Sequence, residues 1–104
     1  MVKFSILAAH EQVNPVDLLS DVIIMEQNEI ERCWTSDHFM PWWHTGASGG
    51  AAWPWLGAAL AKTNKIIIGT GITPPILRYH PGICYARLYV SKKSIPYCRE
   101  RRIC

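Results

Sequence analysis

The sequence predicts an α/β fold built on parallel strands, and three observations carry that prediction. Short apolar runs alternate with segments of helical periodicity in the order β-α-β-α-β. The connections between them are short. Polar groups gather directly after each apolar run: Glu11 after the first, Asp37 and His38 after the second, Gly71 and Thr73 after the third. Alternation with short connections implies parallel strands joined by right-handed crossovers. The ends that follow the strands then fall on one face, where such folds keep their chemistry.

The first strand is expected over Lys3 to Ala9, a short and mostly apolar run. A helix start follows at Asn14-Pro15, with Asn14 as the N-cap, Pro15 at the first helical position and Asp17 in the first turn. That helix should reach about Asn28, and Val16, Leu19, Val22, Ile23 and Ile30 give it an apolar face. The second strand is expected at Arg32 to Ser36. The second helix spans Ala51 to Thr63, with Pro54 near its start and Ala58, Ala59 and Ala61 favouring helix. The run Ile66-Ile67-Ile68-Gly69-Thr70 reads as a strand buried on both faces. Gly71 to Pro75 interrupts regular structure, and Arg78-Tyr79-His80-Pro81 opens another helix.

Composition sets the class. At 49% hydrophobic and 18% charged residues, the chain is a folded protein rather than a disordered one. No apolar run has the length of a membrane span and no N-terminal segment reads as a secretory signal, so a cytoplasmic protein without membrane partners is expected. The net charge of +3 belongs to one end of the chain. Up to Gly82 there are five Lys or Arg against seven Asp or Glu, and from Ile83 to Cys104 six against one. Three of the four cysteines, Cys84, Cys98 and Cys104, lie in that same basic stretch, and Cys33 lies before it; no CxxC pair occurs.

The densest chemistry is in Thr35-Ser36-Asp37-His38-Phe39-Met40-Pro41-Trp42-Trp43-His44, which sets a carboxylate, two imidazoles and two indoles on a loop leaving the second strand. His38 suits proton transfer near neutral pH, and a carboxylate partner would fix its tautomer. His10, His44 and His80 lack ligand spacing with any cysteine or carboxylate, so no metal site is expected. The Gly46–Gly50 segment lacks the Lys-Ser/Thr of a phosphate loop. Trp53 and Trp55 read as core aromatics.

Four segments resemble bacterial-luciferase-like oxidoreductases: Glu11-Gln12, Ser36-Asp37-His38-Phe39-x-Pro41-Trp42-x-His44, Thr63 to Thr70, and Arg78-Tyr79-x-Pro81. They are most similar to the branch that uses the deazaflavin coenzyme F420 for glucose-6-phosphate or secondary alcohol dehydrogenation. The resemblance covers residues 1–82. It implies that the chain supplies the first three βα units of a truncated TIM (β/α)8 barrel. By position, Asp37 resembles the residue that binds the deazaflavin ring. His38 resembles the histidine that takes the substrate hydroxyl proton, Trp42 the tryptophan lining the substrate pocket, and Glu11 a carboxylate that orients the histidine. Gly71 and Ile72 fall where the family has a non-proline cis peptide behind the ring. The implied reaction is hydride transfer between the deazaflavin and a small-molecule alcohol or sugar hydroxyl, with FMN as the alternative cofactor. Full-length relatives are expected to be homodimers, without nucleic-acid partners.

Two departures stand out. The family has glycine near position 29, where this chain has Glu29. After Pro81 the resemblance stops, and residues 83–104 form a divergent basic tail, read as frame-shifted or disordered. The alternative functional readings are an inert truncated product, since a whole barrel takes about 250 residues, and a small basic interaction module resting on the tail alone.

Overall fold

The computed structural model describes residues 4–74, 78–80 and 82. The chain divides into two units, Met1–Thr73 and Pro74–Cys104. In the first unit the elements are β1 (Ser5–Ala8), α1 (Pro15–Gln27), β2 (Arg32–Thr35), α2 (Ala52–Lys62) and β3 (Ile67–Thr70). In the second, the Arg78 N–H donates to the Pro74 carbonyl at 3.2 Å, and the Arg78 guanidinium lies 5.2 Å from the centre of the Tyr79 ring. The helix expected from Arg78 onward falls largely outside the described residues, and the tail 83–104 falls wholly outside them. No helix among the described residues is long and apolar enough to cross a membrane.

The three strands form one parallel sheet in the order β1-β2-β3. Cys33 of β2 sits opposite Ile6 of β1 and Ile68 of β3. Because side chains alternate along a strand, this row and that of Ala8 and Thr35 share one face. That face carries the core: Ala8, Cys33 and Ile68, with Ile66 just before β3, join Leu18 and Val22 of α1 and Trp55, Leu56 and Ala59 of α2 in one buried cluster. Cys33 is 1% exposed, and burial pushes its thiol up to about 11, so it serves as a small neutral apolar group.

Helix α1 begins as its sequence dictates. The Asn14 side chain accepts the Val16 N–H at 2.9 Å, and Pro15 occupies the first helical position. Val16 corrects the expected apolar face. It is 71% exposed, while Leu18, two residues on and so about 200° around the helix, points into the core with Val22. Leu19, Ile23 and Ile30 pack against the edge of the cluster as expected.

The end of α1 resolves the departure at position 29. Glu29 has φ 61°, in the left-handed region. Its N–H donates to the Glu26 carbonyl at 3.2 Å, and the Ile30 N–H to the Met25 carbonyl at 3.0 Å. These are the two bonds of a Schellman cap, normally built on glycine. Glu29 adopts the glycine conformation without being glycine.

Just before β3 the chain is anchored by a carboxylate. Glu26 Oε1 accepts the N–H groups of Asn64, Lys65 and Ile66 at 2.8, 2.5 and 2.9 Å. Those donors hold the Glu26 carboxyl below the usual carboxylate range. Helix α1 is thereby tied to the turn that launches β3.

Candidate active site

The strand ladders continue one residue past the regular strands. The Ser36 N–H donates to the Ala8 carbonyl at 3.3 Å, and the Gly71 N–H to the Thr35 carbonyl at 2.9 Å. The carboxyl ends of the three strands are therefore held side by side, and the polar residues that follow them start from a common rim.

On that rim a buried network links β1 to β2. Glu11 is 4% exposed, Ser36 7% and Asp37 4%. Glu11 Oε2 accepts the Ser36 hydroxyl at 2.6 Å, and Ser36 Oγ accepts the His10 N–H at 3.1 Å. The other oxygen, Glu11 Oε1, meets His38 Nε2 at 2.8 Å. His38 Nδ1 in turn accepts the indole N–H of Trp42 at 3.3 Å, and the two rings stand edge to face with centroids 5.2 Å apart. An indole nitrogen can only donate, so Nδ1 must be the lone-pair nitrogen and Nε2 must carry the hydrogen given to Glu11. The partners on both sides demand the same tautomer.

His10 faces inward from the same rim. It is 2% exposed and packs edge-on to Trp55, with ring centroids 5.0 Å apart. Burial lowers its pKa, and Glu11 and Asp37 offset that only in part. The loop from 37 to 50 closes over it. The Ser48 N–H donates to the Glu11 carbonyl at 3.2 Å, and Gly50 comes so close to the His10 imidazole and the Pro15 ring that a Cβ there would collide with both. His10, Glu11, His38, Pro41, Ser48 and Gly50 line a small cleft at this point. Outside it the loop presents Phe39, Trp42 and Trp43 to solvent.

Of the residues picked from the sequence, Glu11, His38 and Trp42 are in direct contact, and Asp37 is buried beside them at the end of β2. Gly71 and Ile72 lie at the end of β3, where Ile72 is 81% exposed. The cis peptide expected between them is absent: all peptide bonds of the described residues are trans, and Gly71 instead extends the β2–β3 ladder. Ser36, His10 and Gly50 complete the site without having been given roles. Ser36 lay in the motif, but its neighbours Asp37 and His38 offered the more obvious chemistry. Among the described residues no three His, Cys, Asp or Glu side chains gather so as to hold a metal ion.

The model of the luciferase-like monooxygenase family matches residues 7–88. The chain belongs to that family. Within it, the chain is 45% identical over 83 residues to the F420-dependent glucose-6-phosphate dehydrogenase of Beutenbergia cavernae, an alignment covering 80% of this chain and 25% of the relative. The enzyme of the same name from Nakamurella multipartita is 38% identical over 82 residues, covering 79% and 24%. Among solved structures, an F420-dependent secondary alcohol dehydrogenase in complex with an F420–acetone adduct is 42% identical with a TM-score of 0.76, covering 83% of this chain and 27% of that one. The chain thus spans about a quarter of the length of the luciferase-like relatives it matches. Its parallel sheet and helices correspond to the N-terminal part of their TIM barrel.

Proposed function

We propose that the rim formed by Glu11, Asp37, His38 and Trp42 belongs to the active site of an F420-dependent oxidoreductase that interconverts an alcohol or sugar hydroxyl and the corresponding carbonyl. The observation that carries this reading is the contact of His38 Nε2 with the buried Glu11 carboxylate at 2.8 Å. It gives a solvent-facing imidazole, 44% exposed, a fixed orientation and a fixed tautomer.

Oxidising an alcohol removes a hydride from carbon and a proton from oxygen. When bound, the deazaflavin supplies the hydride acceptor. The protein groups handle the proton: His38 Nδ1 takes it from the substrate hydroxyl, which replaces the Trp42 N–H at that nitrogen, and Glu11 stabilises the resulting imidazolium through Nε2. Trp42 then lines the substrate side of the loop. Asp37 and the Gly71–Ile72 segment would hold the ring. Their chemistry fits that task, since Asp37 offers a buried acceptor at the end of β2 and Gly71 an exposed backbone without a Cβ at the end of β3. FMN offers a comparable flat ring and remains the alternative cofactor. The reading places the protein in the cytoplasm.

A second reading, that the chain alone retains no coenzyme, is favoured by the open flanks of the sheet. Among the described residues strands β1 and β3 each pair on one side only, and Leu7, on the face away from the core, is 59% exposed. Titration of F420 with the 104-residue chain, followed by deazaflavin fluorescence, separates the two. A saturable change that is lost in Asp37→Ala supports retained binding, and a flat titration supports the second reading.

A further inference from the structure

We propose that Ser36 is a positioning residue for the His38 base, acting through Glu11. This rests on the reading of His38 as the proton acceptor. A serine hydroxyl has one hydrogen to give. Ser36 Oγ already accepts the His10 N–H at 3.1 Å, and its own hydrogen is directed to Glu11 Oε2 at 2.6 Å, a length typical of a hydroxyl bound to an ionised carboxylate. The backbone of β1's end thus orients the hydroxyl, and the hydroxyl orients the carboxylate. Only then does Oε1 face His38 Nε2.

The burial of these groups makes the arrangement exclusive. The Glu11 side chain is 5% exposed, so water does not readily replace Ser36 at Oε2. Without the hydroxyl, one oxygen of a buried carboxylate would lack a donor. The carboxylate would then turn, and His38 would lose the partner that holds its hydrogen on Nε2. Ser36 touches neither the reacting atoms nor the imidazole, and its effect passes entirely through Glu11.

The test is the imidazole ¹⁵N spectrum of His38 in the 104-residue chain, recorded above neutral pH without coenzyme. The natural chain is expected to show the two widely separated shifts of a pure Nε2–H tautomer, and an Nδ1–H tautomer would overturn the proposal. With Trp42→Phe as the background, so that no indole N–H holds the lone pair on Nδ1, Ser36→Ala is expected to move both shifts toward the averaged values of mixed tautomers, and shifts unchanged from Trp42→Phe alone in a folded chain would likewise overturn it. In the same Trp42→Phe background, where Nδ1 is free to carry the hydrogen, Glu11→Gln gives a reading independent of the fold of the serine variant. While Ser36 donates, the glutamine carbonyl must face it, so the amide NH₂ meets Nε2 and the tautomer inverts to Nδ1–H. Retention of Nε2–H in Glu11→Gln would show that Ser36 does not set the orientation. Because no coenzyme is present, a flat F420 titration leaves this result standing, and failure here leaves the titration untouched.

Discussion

Glu26 and Ile66 are joined by a hydrogen bond of 2.9 Å from the Ile66 N–H to the Glu26 carboxylate, which fixes the end of α1 against the start of β3. The same oxygen also holds the N–H groups of Asn64 and Lys65, so one side chain satisfies three consecutive backbone donors. Glu26→Gln keeps the shape but removes the charge. It is expected to lower unfolding stability at pH 7 by about 1 kcal/mol, the scale of charge-assisted bonds at a site open to water. The pH dependence has a definite sign. Backbone donors depress the folded-state pKa, so the contribution is complete above the unfolded value of 4.5 and is lost as pH falls from there through the folded value. Urea unfolding at pH 7, 4.5 and 3 should show a shallower acid loss in Glu26→Gln than in the natural chain.

Glu29 offers the opposite opportunity. At φ 61° it bears the strain of a Cβ in a left-handed cap whose two hydrogen bonds are already made. Glu29→Gly should therefore raise stability by about 1 kcal/mol, the usual penalty for a non-glycine residue in this region. A midpoint of urea unfolding that fails to rise, with unchanged slope, would count against the cap.

The sequence made the fold legible where local signals agreed with the tertiary structure. The Asn14-Pro15 start, the alanine-rich second helix and the triple isoleucine before Gly69 each led to an element close to the observed one. Val16 misled because several apolar residues on α1 define two overlapping faces, and only packing against α2 and the sheet selects the one centred on Leu18 and Val22. In the site, Glu11 and His38 were legible as strand-end polar residues. Ser36 and His10 were not, because their roles depend on a backbone N–H meeting a side chain across two strands, which leaves no trace in residue type or spacing.

His38→Ala addresses the proposed reaction in a full-length protein that carries this segment and turns over with F420. The catalytic rate is expected to fall by about 10²–10⁴, the range for a lost general base. The affinity for F420 should stay within a factor of about two, because the proposed ring contacts lie at Asp37 and Gly71 rather than at the imidazole. Steady-state rates and a fluorescence titration on the same preparation check both halves. An unchanged rate would remove His38 from the chemistry.

His10 predicts a second pH dependence, on the neutral side. Desolvation lowers its folded-state pKa below the ordinary 6.5, so the folded chain binds fewer protons there than the unfolded one. Its contribution is complete above 6.5 and is lost as pH falls from that value toward the folded pKa. His10→Leu, which stays apolar at every pH, should flatten the fall in stability between pH 7 and pH 5.5. Denaturant midpoints at those two values give the comparison, and equal slopes in both chains would mean that the imidazole titrates as freely when folded as when unfolded.

Gly50 and His10 are coupled by contact, and a double-mutant cycle can measure that coupling. A Cβ at position 50 would run into the His10 imidazole and the Pro15 ring, and His10 is backed by Trp55, so the imidazole has little room to retreat. Gly50→Ala alone should destabilise the chain by about 1–3 kcal/mol, the cost of overpacking a filled site. In a His10→Ala background the methyl group gains space on its most crowded side. The same substitution should then cost less, with an interaction energy of at least about 0.5 kcal/mol between the two positions. Additive effects would mean that the loop relieves the crowding by moving away from β1. In that case the Ser48 N–H would leave the Glu11 carbonyl, and its amide hydrogen would exchange faster in Gly50→Ala than in the natural chain.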